Sequence, residues 1–298
     1  MIDRAMDRII ERVIAWGEAR PDIRAAFIVG SRARADHPAD EWSDLDVVIV
    51  ADDPQPYLAS AEWLSAIGDA RLTFLEPTAV GGLTERRALF DGGLDVDFTF
   101  IPTGYIQHML QHALPVEVAR VFQHGVRILF DKDAAIAGLV HAPPSEQPRL
   151  KLPTSAEYGE LVNDFLYHAI WVAKKLRRGE VFVAKTSCDI HMKWLLLRLI
   201  EWHAQAINGP VYQTWHAGRF LEQWADPRII ADLGSTYAQY DAADVRRALY
   251  ASLRVFHWIA LEAADHLQYE YPHDAHAYVE TWLNAQLPKE TQQHNIRA

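Results

Sequence analysis

The sequence predicts an α+β fold in two parts, a mixed β-sheet flanked by helices in the N-terminal half and an α-helical bundle in the C-terminal half. Three observations carry this. Short runs of β-branched residues alternate with helix-like stretches up to about residue 130; a proline-rich segment, His141 to Pro153 (HAPPSEQPRLKLP), then has no apolar period; beyond it the apolar residues recur at helical spacing to near the C-terminus. At 298 residues, half of them hydrophobic, the chain can hold two cores. The predicted organisation is a sheet domain over 1–140, a link over 141–153 and a helical domain over 154–298.

The first element is an amphipathic helix over about Asp3 to Ala19, with Ile9, Ile10, Val13, Ile14 and Trp16 forming its apolar stripe. Arg24 to Val29 reads as a buried strand ending at Gly30. Leu45 to Ala51 (LDVVIVA) is a second strand, closed by Asp52, Asp53 and Pro54. A helix near Tyr57 to Ile67 leads to a third candidate strand at Arg71 to Leu75. Glu85 to Phe90 and Leu94 to Ile101 flank Asp91-Gly92-Gly93, whose glycines supply the positive φ angles of a hairpin turn. Val126 to Phe130 adds a last strand. In the second half, helices are expected at about Ser155 to Arg178, Phe182 to Ala206, Gly218 to Trp224, Ala242 to Tyr269 and Ala275 to Gln286. Trp171, Trp194, Trp202 and Trp258 sit at spacings suited to packing. The tail from Pro288 is expected to fray.

Composition excludes several classes. The first twenty residues carry acids and arginines in every turn, unlike a secretory signal, and no later stretch approaches the roughly 18 uncharged residues of a membrane span, so a cytoplasmic protein without a membrane partner is expected. A net charge of −11 opposes a broad grip on nucleic acid, which depends on neutralising phosphates with Lys and Arg. The one cysteine, Cys188, permits no intrachain disulfide and reads as a small buried apolar residue. Nothing in the sequence separates a monomer from a homodimer.

The chemistry concentrates in Gly30-Ser31-Arg32, then Asp44-Leu45-Asp46 opening an apolar strand, then Leu94-Asp95-Val96-Asp97. Side chains alternate across a strand, so Asp44 shares a face with Asp46, and Asp95 with Asp97. Two acids at a strand edge and a third on a neighbouring strand repel one another unless a cation lies among them. Magnesium suits such a site, because it prefers carboxylate oxygens and keeps water and phosphate oxygens as its other ligands. Phosphoryl and nucleotidyl transfer use this arrangement to hold attacking and leaving oxygens in line. Gly30 lets backbone approach a phosphate closely, and the Ser31 hydroxyl can donate to it.

The segment GSRARADHPADEWSDLDVVIV resembles the signature of the DNA polymerase β-type nucleotidyltransferase superfamily, in its antibiotic-modifying branch. The resemblance is greatest to the aminoglycoside 6-adenylyltransferases that act on streptomycin. It extends through Trp63-Leu64, Asp97-Phe98-Thr99-Phe100-Ile101-Pro102, Ile128-Leu129-Phe130-Asp131-Lys132-Asp133, Lys175-Leu176-Arg177-Arg178-Gly179-Glu180 and Glu201-Trp202-His203. It implies a magnesium-dependent transfer of AMP from ATP, the co-substrate, to a hydroxyl of a cationic aminoglycoside. Gly30 and Ser31 match the phosphate-contacting turn, Asp44 and Asp46 the metal-binding pair, and Asp97 the third carboxylate, which either completes the metal site or takes the hydroxyl proton. Asp95 stands where relatives often have a non-acidic residue and is assigned to the acceptor as an extra acid. Arg32 braces either the triphosphate or the acidic cluster, or makes an ordinary surface ion pair.

The acceptor is expected between the two domains. Lys185, Asp189 and Lys193 recur every four residues and so share one helix face. That pattern fits either a solvated face with intrahelical ion pairs or a site giving a lysine to the ATP phosphates and Asp189 to a cationic acceptor. Glu157, Glu160 and Asp164 are further acids able to meet ammonium or guanidinium groups. His168, His191 and His203 read as hydrogen-bonding residues rather than metal ligands. The alternatives are another acceptor (a lincosamide, an aminocyclitol or a protein side chain) or an inactive nucleotide-binding protein; the presence of Asp44, Asp46 and Asp97 together speaks against the last.

Overall fold

A computed structural model describes residues 2–78, 82–112, 116–140 and 152–287. The chain falls into two compact units, Met1–Pro148 and Arg149–Ala298. The predicted link lies outside the described residues except for Leu152 and Pro153, as does the tail from Pro288. Among the described residues, no helix is long and apolar enough to cross a membrane.

The first unit is a six-stranded mixed sheet built from β1 (Ile23–Val29), β2 (Leu45–Ala51), β3 (Ala70–Pro77), β4 (Thr84–Phe90), β5 (Leu94–Pro102) and β6 (Arg127–Asp131), in the order β3-β4-β5-β2-β1-β6. Only β2 and β5 run parallel. Alternation along the strands splits the sheet into two faces. One is apolar apart from the buried Arg86, which pairs opposite Phe98 and donates to the Tyr57 carbonyl: Ala26, Ile28, Leu45, Val47, Ile49, Val96, Phe98 and Phe100 pack against Met6, Ile9, Ile10, Val13 and Trp16 of α1 (Ile2–Glu18). The other is divided. Ala25, Phe27, Val48, Val50 and Ile101 are covered through Ile106 and Met109 of α3 (Thr103–Gln111) and Ile136 and Leu139 of α5 (Ala135–Val140). The rest of that face carries Asp46, Asp97, Arg87 and Glu85. Gly92 and Gly93 take φ of 83° and 76° in the β4–β5 turn, the left-handed conformation expected of them.

The expected helix over Tyr57 to Ile67 is interrupted. A short α2 (Gln55–Ala59) stops at Ser60, whose backbone is extended, and a 3-10 turn follows over Glu62–Ala66. Ser60 Oγ accepts from the Glu62 amide, and Trp63 Nε1 donates to the Tyr57 carbonyl, so local hydrogen bonds replace the helical ladder there. The helices α3, α4 (Val116–His124) and α5 were not expected, being too short for apolar periodicity to declare them.

The second unit is helical. Its long members are α6 (Ser155–Arg177), α8 (Met192–Asn208), α11 (Ala242–Leu267) and α12 (His273–Gln286), around a core including Phe165, Leu199, Phe256 and Ile259. Thr154 and Glu157 form a reciprocal capping box at the start of α6, which gives Glu157 a structural role. The predicted helix from Phe182 to Ala206 is not one regular α-helix. It comprises α7 (Val181–Thr186), a π-helical turn over Ser187–His191, and α8. An inserted π-turn residue rotates everything beyond it by about 100° relative to a regular helix.

At the start of α11, Asp244 accepts from Arg247 Nε at 2.6 Å and from the Gln239 amide at 2.6 Å. Bonding to Arg247, then to that amide, lowers its pKa to about 2. A depressed carboxylate pKa stabilises the fold above the unfolded value near 4, and that contribution disappears as pH falls toward 2. Asp244→Asn is therefore expected to cost about 1 kcal/mol at pH 7, allowing for solvent screening. In melting curves the difference from wild type should vanish between pH 4 and pH 2.

Candidate active site

Register brings the predicted acids together. In the parallel β2–β5 pair Asp46 lies directly opposite Asp97, and Asp44 enters from the turn just ahead of β2. Carboxylate oxygens of Asp44, Asp46 and Asp97 all lie within 4.8 Å of one another; Asp97 is buried and the other two are half-buried. Burial pushes the Asp97 pKa up, opposed by its bonds and charge interaction with Arg87 and reinforced by Asp95 and Asp44. Asp95 sits on the same strand face, exposed, opposite Leu89.

Gly30 opens a 3-10 turn, Gly30–Arg32, at the end of β1, with φ of 70°. A Cβ at this position would overlap Asp46 Oδ2, so only glycine lets the turn lie against the carboxylate. The Ser31 hydroxyl is buried and has no hydrogen-bond partner among the described residues. Arg32 donates to the carbonyl oxygens of Asp40, Ser43 and Asp44, at 3.4, 3.0 and 3.1 Å. These bonds tie the Arg32 guanidinium to the turn that leads into Asp44.

Two neighbours of the cluster, Arg87 and Glu85, are not marked as site residues by the sequence. Arg87, opposite Asp97 on β4, donates to both oxygens of that carboxylate at 2.7 Å and to Glu76 Oε1 at 2.9 Å. Glu85, opposite Thr99, is half-buried, and burial followed by the charge of Asp97 pushes its pKa up. Their only sequence signal is the alternation in Thr84-Glu85-Arg86-Arg87, which carries no chemistry until the hairpin register is known.

In the helical unit, the face expected for Lys185, Asp189 and Lys193 divides. Lys185 is ion-paired with Asp189 Oδ2. Lys193 is buried, and its ammonium donates to the Cys188 carbonyl and to Ser252 Oγ, both at 2.9 Å. Burial pushes its pKa down. The assignment of Lys193 to ATP phosphates is thereby corrected: it is an internal tether between the π turn and α11. Cys188 is fully buried, and burial raises its thiol pKa, as befits a packing residue.

Asp189 Oδ1 is buried without a partner among the described residues, and Asp189 borders a cavity of about 450 Å³ with Ile190, Trp194, Leu197 and Tyr237. Trp194, expected in the core, is 56% exposed; Trp171, Trp202 and Trp258 pack against the core as expected. Asp164 is engaged by His168 and His191, while His203 is buried against Glu262.

The sheet residues fit a hard divalent cation and a phosphate chain. Six-coordinate magnesium places its oxygen ligands about 3 Å apart when adjacent and about 4 Å when opposite, and the three carboxylates, with oxygens within 4.8 Å of one another, reach that span with small side-chain rotations. The unpartnered Ser31 hydroxyl and the close approach at Gly30 are suited to a phosphate oxygen.

Over most of its length the chain is similar to aminoglycoside 6-adenylyltransferases. The aminoglycoside 6-adenylyltransferase of Bacillus subtilis (strain 168) is 24% identical over 256 residues, covering 84% of this chain and 87% of the relative. That of Campylobacter jejuni is 23% identical over 275 residues, covering 90% and 91%. A crystal structure of an aminoglycoside 6-adenyltransferase from Bacillus subtilis aligns with a TM-score of 0.43 at 18% identity, over 94% of this chain and 96% of that one. The family model for streptomycin adenylyltransferase matches residues 3–286, spanning both the acid-bearing sheet and the helical unit, and the chain belongs to that family.

Proposed function

We propose that this chain transfers AMP from ATP to a hydroxyl of an aminoglycoside, with streptomycin as the acceptor, and so inactivates the antibiotic in the cytoplasm. The observation that carries this is the three-carboxylate cluster against the Gly30–Arg32 turn. In this reading the triphosphate of ATP lies on that turn, with the Ser31 hydroxyl donating to a phosphate oxygen. Asp44 and Asp46, with Asp97, hold magnesium, which when bound offsets charge on the phosphates and acidifies the acceptor hydroxyl. The hydroxyl oxygen attacks the α-phosphorus, its bond to the bridging oxygen breaks, and pyrophosphate leaves.

Glu85 takes the hydroxyl proton. Both oxygens of Asp97 are engaged by Arg87, whereas among the described residues Glu85 has one hydrogen bond, a long Thr99 hydroxyl contact of 3.4 Å, and its raised pKa favours proton uptake. Glu85→Gln is expected to lower kcat about 100-fold with little change in KM for ATP. A base must be deprotonated to act, so wild-type kcat should fall as pH drops through the raised pKa of Glu85, and that acid limb should be absent from the variant. A variant keeping both the rate and the limb would return the role to Asp97.

In the helical unit, Asp189 and the aromatic wall of Trp194 and Tyr237 offer the charge and π surface that receive a guanidinium or ammonium group. Mass spectrometry of streptomycin incubated with ATP, magnesium and the protein tests the proposal. One added adenylyl group per antibiotic molecule is expected; unmodified streptomycin alongside another modified acceptor would reassign the substrate.

A further inference from the structure

Among the described residues a second group of metal-ligating side chains lies wholly within the helical unit. Asp164 and His168 stand one turn apart on α6, and His191 closes the π turn over Ser187–His191. Asp164 Oδ1 is 2.6 Å from His168 Nδ1 and 3.3 Å from His191 Nε2, and ligand atoms of all three lie within 4.8 Å of one another. The two imidazole rings approach to 4.0 Å between centroids. We propose that Asp164, His168 and His191 bind a borderline transition-metal ion, zinc by preference, at a site separate from the three-carboxylate cluster.

The geometry suits tetrahedral zinc. Metal–ligand bonds of about 2.0–2.1 Å put neighbouring ligand atoms about 3.3 Å apart, which is the Asp164–His191 separation. The shorter Asp164–His168 contact is a hydrogen bond from Nδ1–H, and the same nitrogen faces the Asp164 carbonyl oxygen at 3.0 Å. Metal binding replaces that proton, and a small side-chain rotation opens the edge. All three residues are partly exposed, so a water can take the fourth position.

The donor sets also discriminate between ions. Two imidazoles with one carboxylate favour zinc, cobalt, nickel or copper over magnesium, whereas three carboxylates favour magnesium. The backbone is prepared for this: the flanking Phe165, Ala169, Cys188 and Met192 are buried in the core, so α6 and the π turn hold their ligands at fixed separation. The π turn has a local consequence here, since it sets where His191 emerges relative to α6.

The test uses the full-length protein in excess magnesium, with zinc chloride as the titrant and cobalt as a spectroscopic stand-in. One zinc per chain should bind and raise the melting temperature by several degrees at saturation. Cobalt should give the visible absorption of a tetrahedral nitrogen and oxygen site. His168→Ala and His191→Ala should each remove the cobalt band and the zinc-dependent shift, while Asp46→Asn should retain both. Cobalt and zinc binding unchanged in His168→Ala and His191→Ala, or lost in Asp46→Asn instead, would overturn the assignment. Should a histidine variant fold poorly, the conservative His191→Gln is read by the cobalt band alone, and its persistence would count against the site.

Discussion

Asp46→Asn is expected to lower kcat/KM for AMP transfer by about 1,000-fold or more while leaving the fold intact. The amide keeps the shape of the side chain but removes one of three charges held within 4.8 Å, and a cation there is worth several kcal/mol to the transition state. The same change relieves repulsion among the acids, so the melting temperature should hold or rise slightly. Pyrophosphate release and a melting curve on one preparation check both parts. A well-folded variant with a near-normal rate would remove Asp46 from the reaction.

Gly30→Ala should rank second. Alanine at φ of 70° costs about 1–2 kcal/mol in the backbone, which lowers the melting temperature by a few degrees. The larger effect is geometric. The new Cβ would overlap Asp46 Oδ2, so the carboxylate must swing out of the cluster, and a displacement of about 1 Å at a reacting centre can cost about 100-fold in rate. Gly92→Ala is the control: its φ of 83° carries comparable strain, but nothing lies within 4 Å of its added Cβ. Gly92→Ala should destabilise without slowing transfer. Equal rates for the two variants would mean that the Gly30 turn does not position Asp46.

Much of the sheet was legible because its signals are local. The α1 stripe, the apolar run of β2 and the diglycine between β4 and β5 each declare themselves within one element. Pairing between strands is a different matter. That β2 runs parallel to β5, setting Asp46 beside Asp97, depends on contacts about fifty residues apart, and the sequence reading inferred the cluster from the acids and the family signature instead. Arg87 was missed for the same reason: a guanidinium on β4 becomes a partner of Asp97 only through the hairpin register. In the helical unit the four-residue spacing of Lys185, Asp189 and Lys193 assumed an uninterrupted α-helix. The π turn over Ser187–His191 breaks that assumption, and no single residue announces it; Lys193 turned inward and Trp194 outward. Asp164 and His191, 27 positions apart, meet only through helix packing.

The most direct test of AMP transfer at the three-carboxylate cluster is pyrophosphate release from ATP and magnesium by the purified protein, with streptomycin, spectinomycin, kanamycin, lincomycin or no acceptor, and with Asp46→Asn as the blank. Release is expected with streptomycin, little without an acceptor, and none from the variant. Release that is independent of any acceptor, or equal in wild type and Asp46→Asn, would contradict AMP transfer at that cluster.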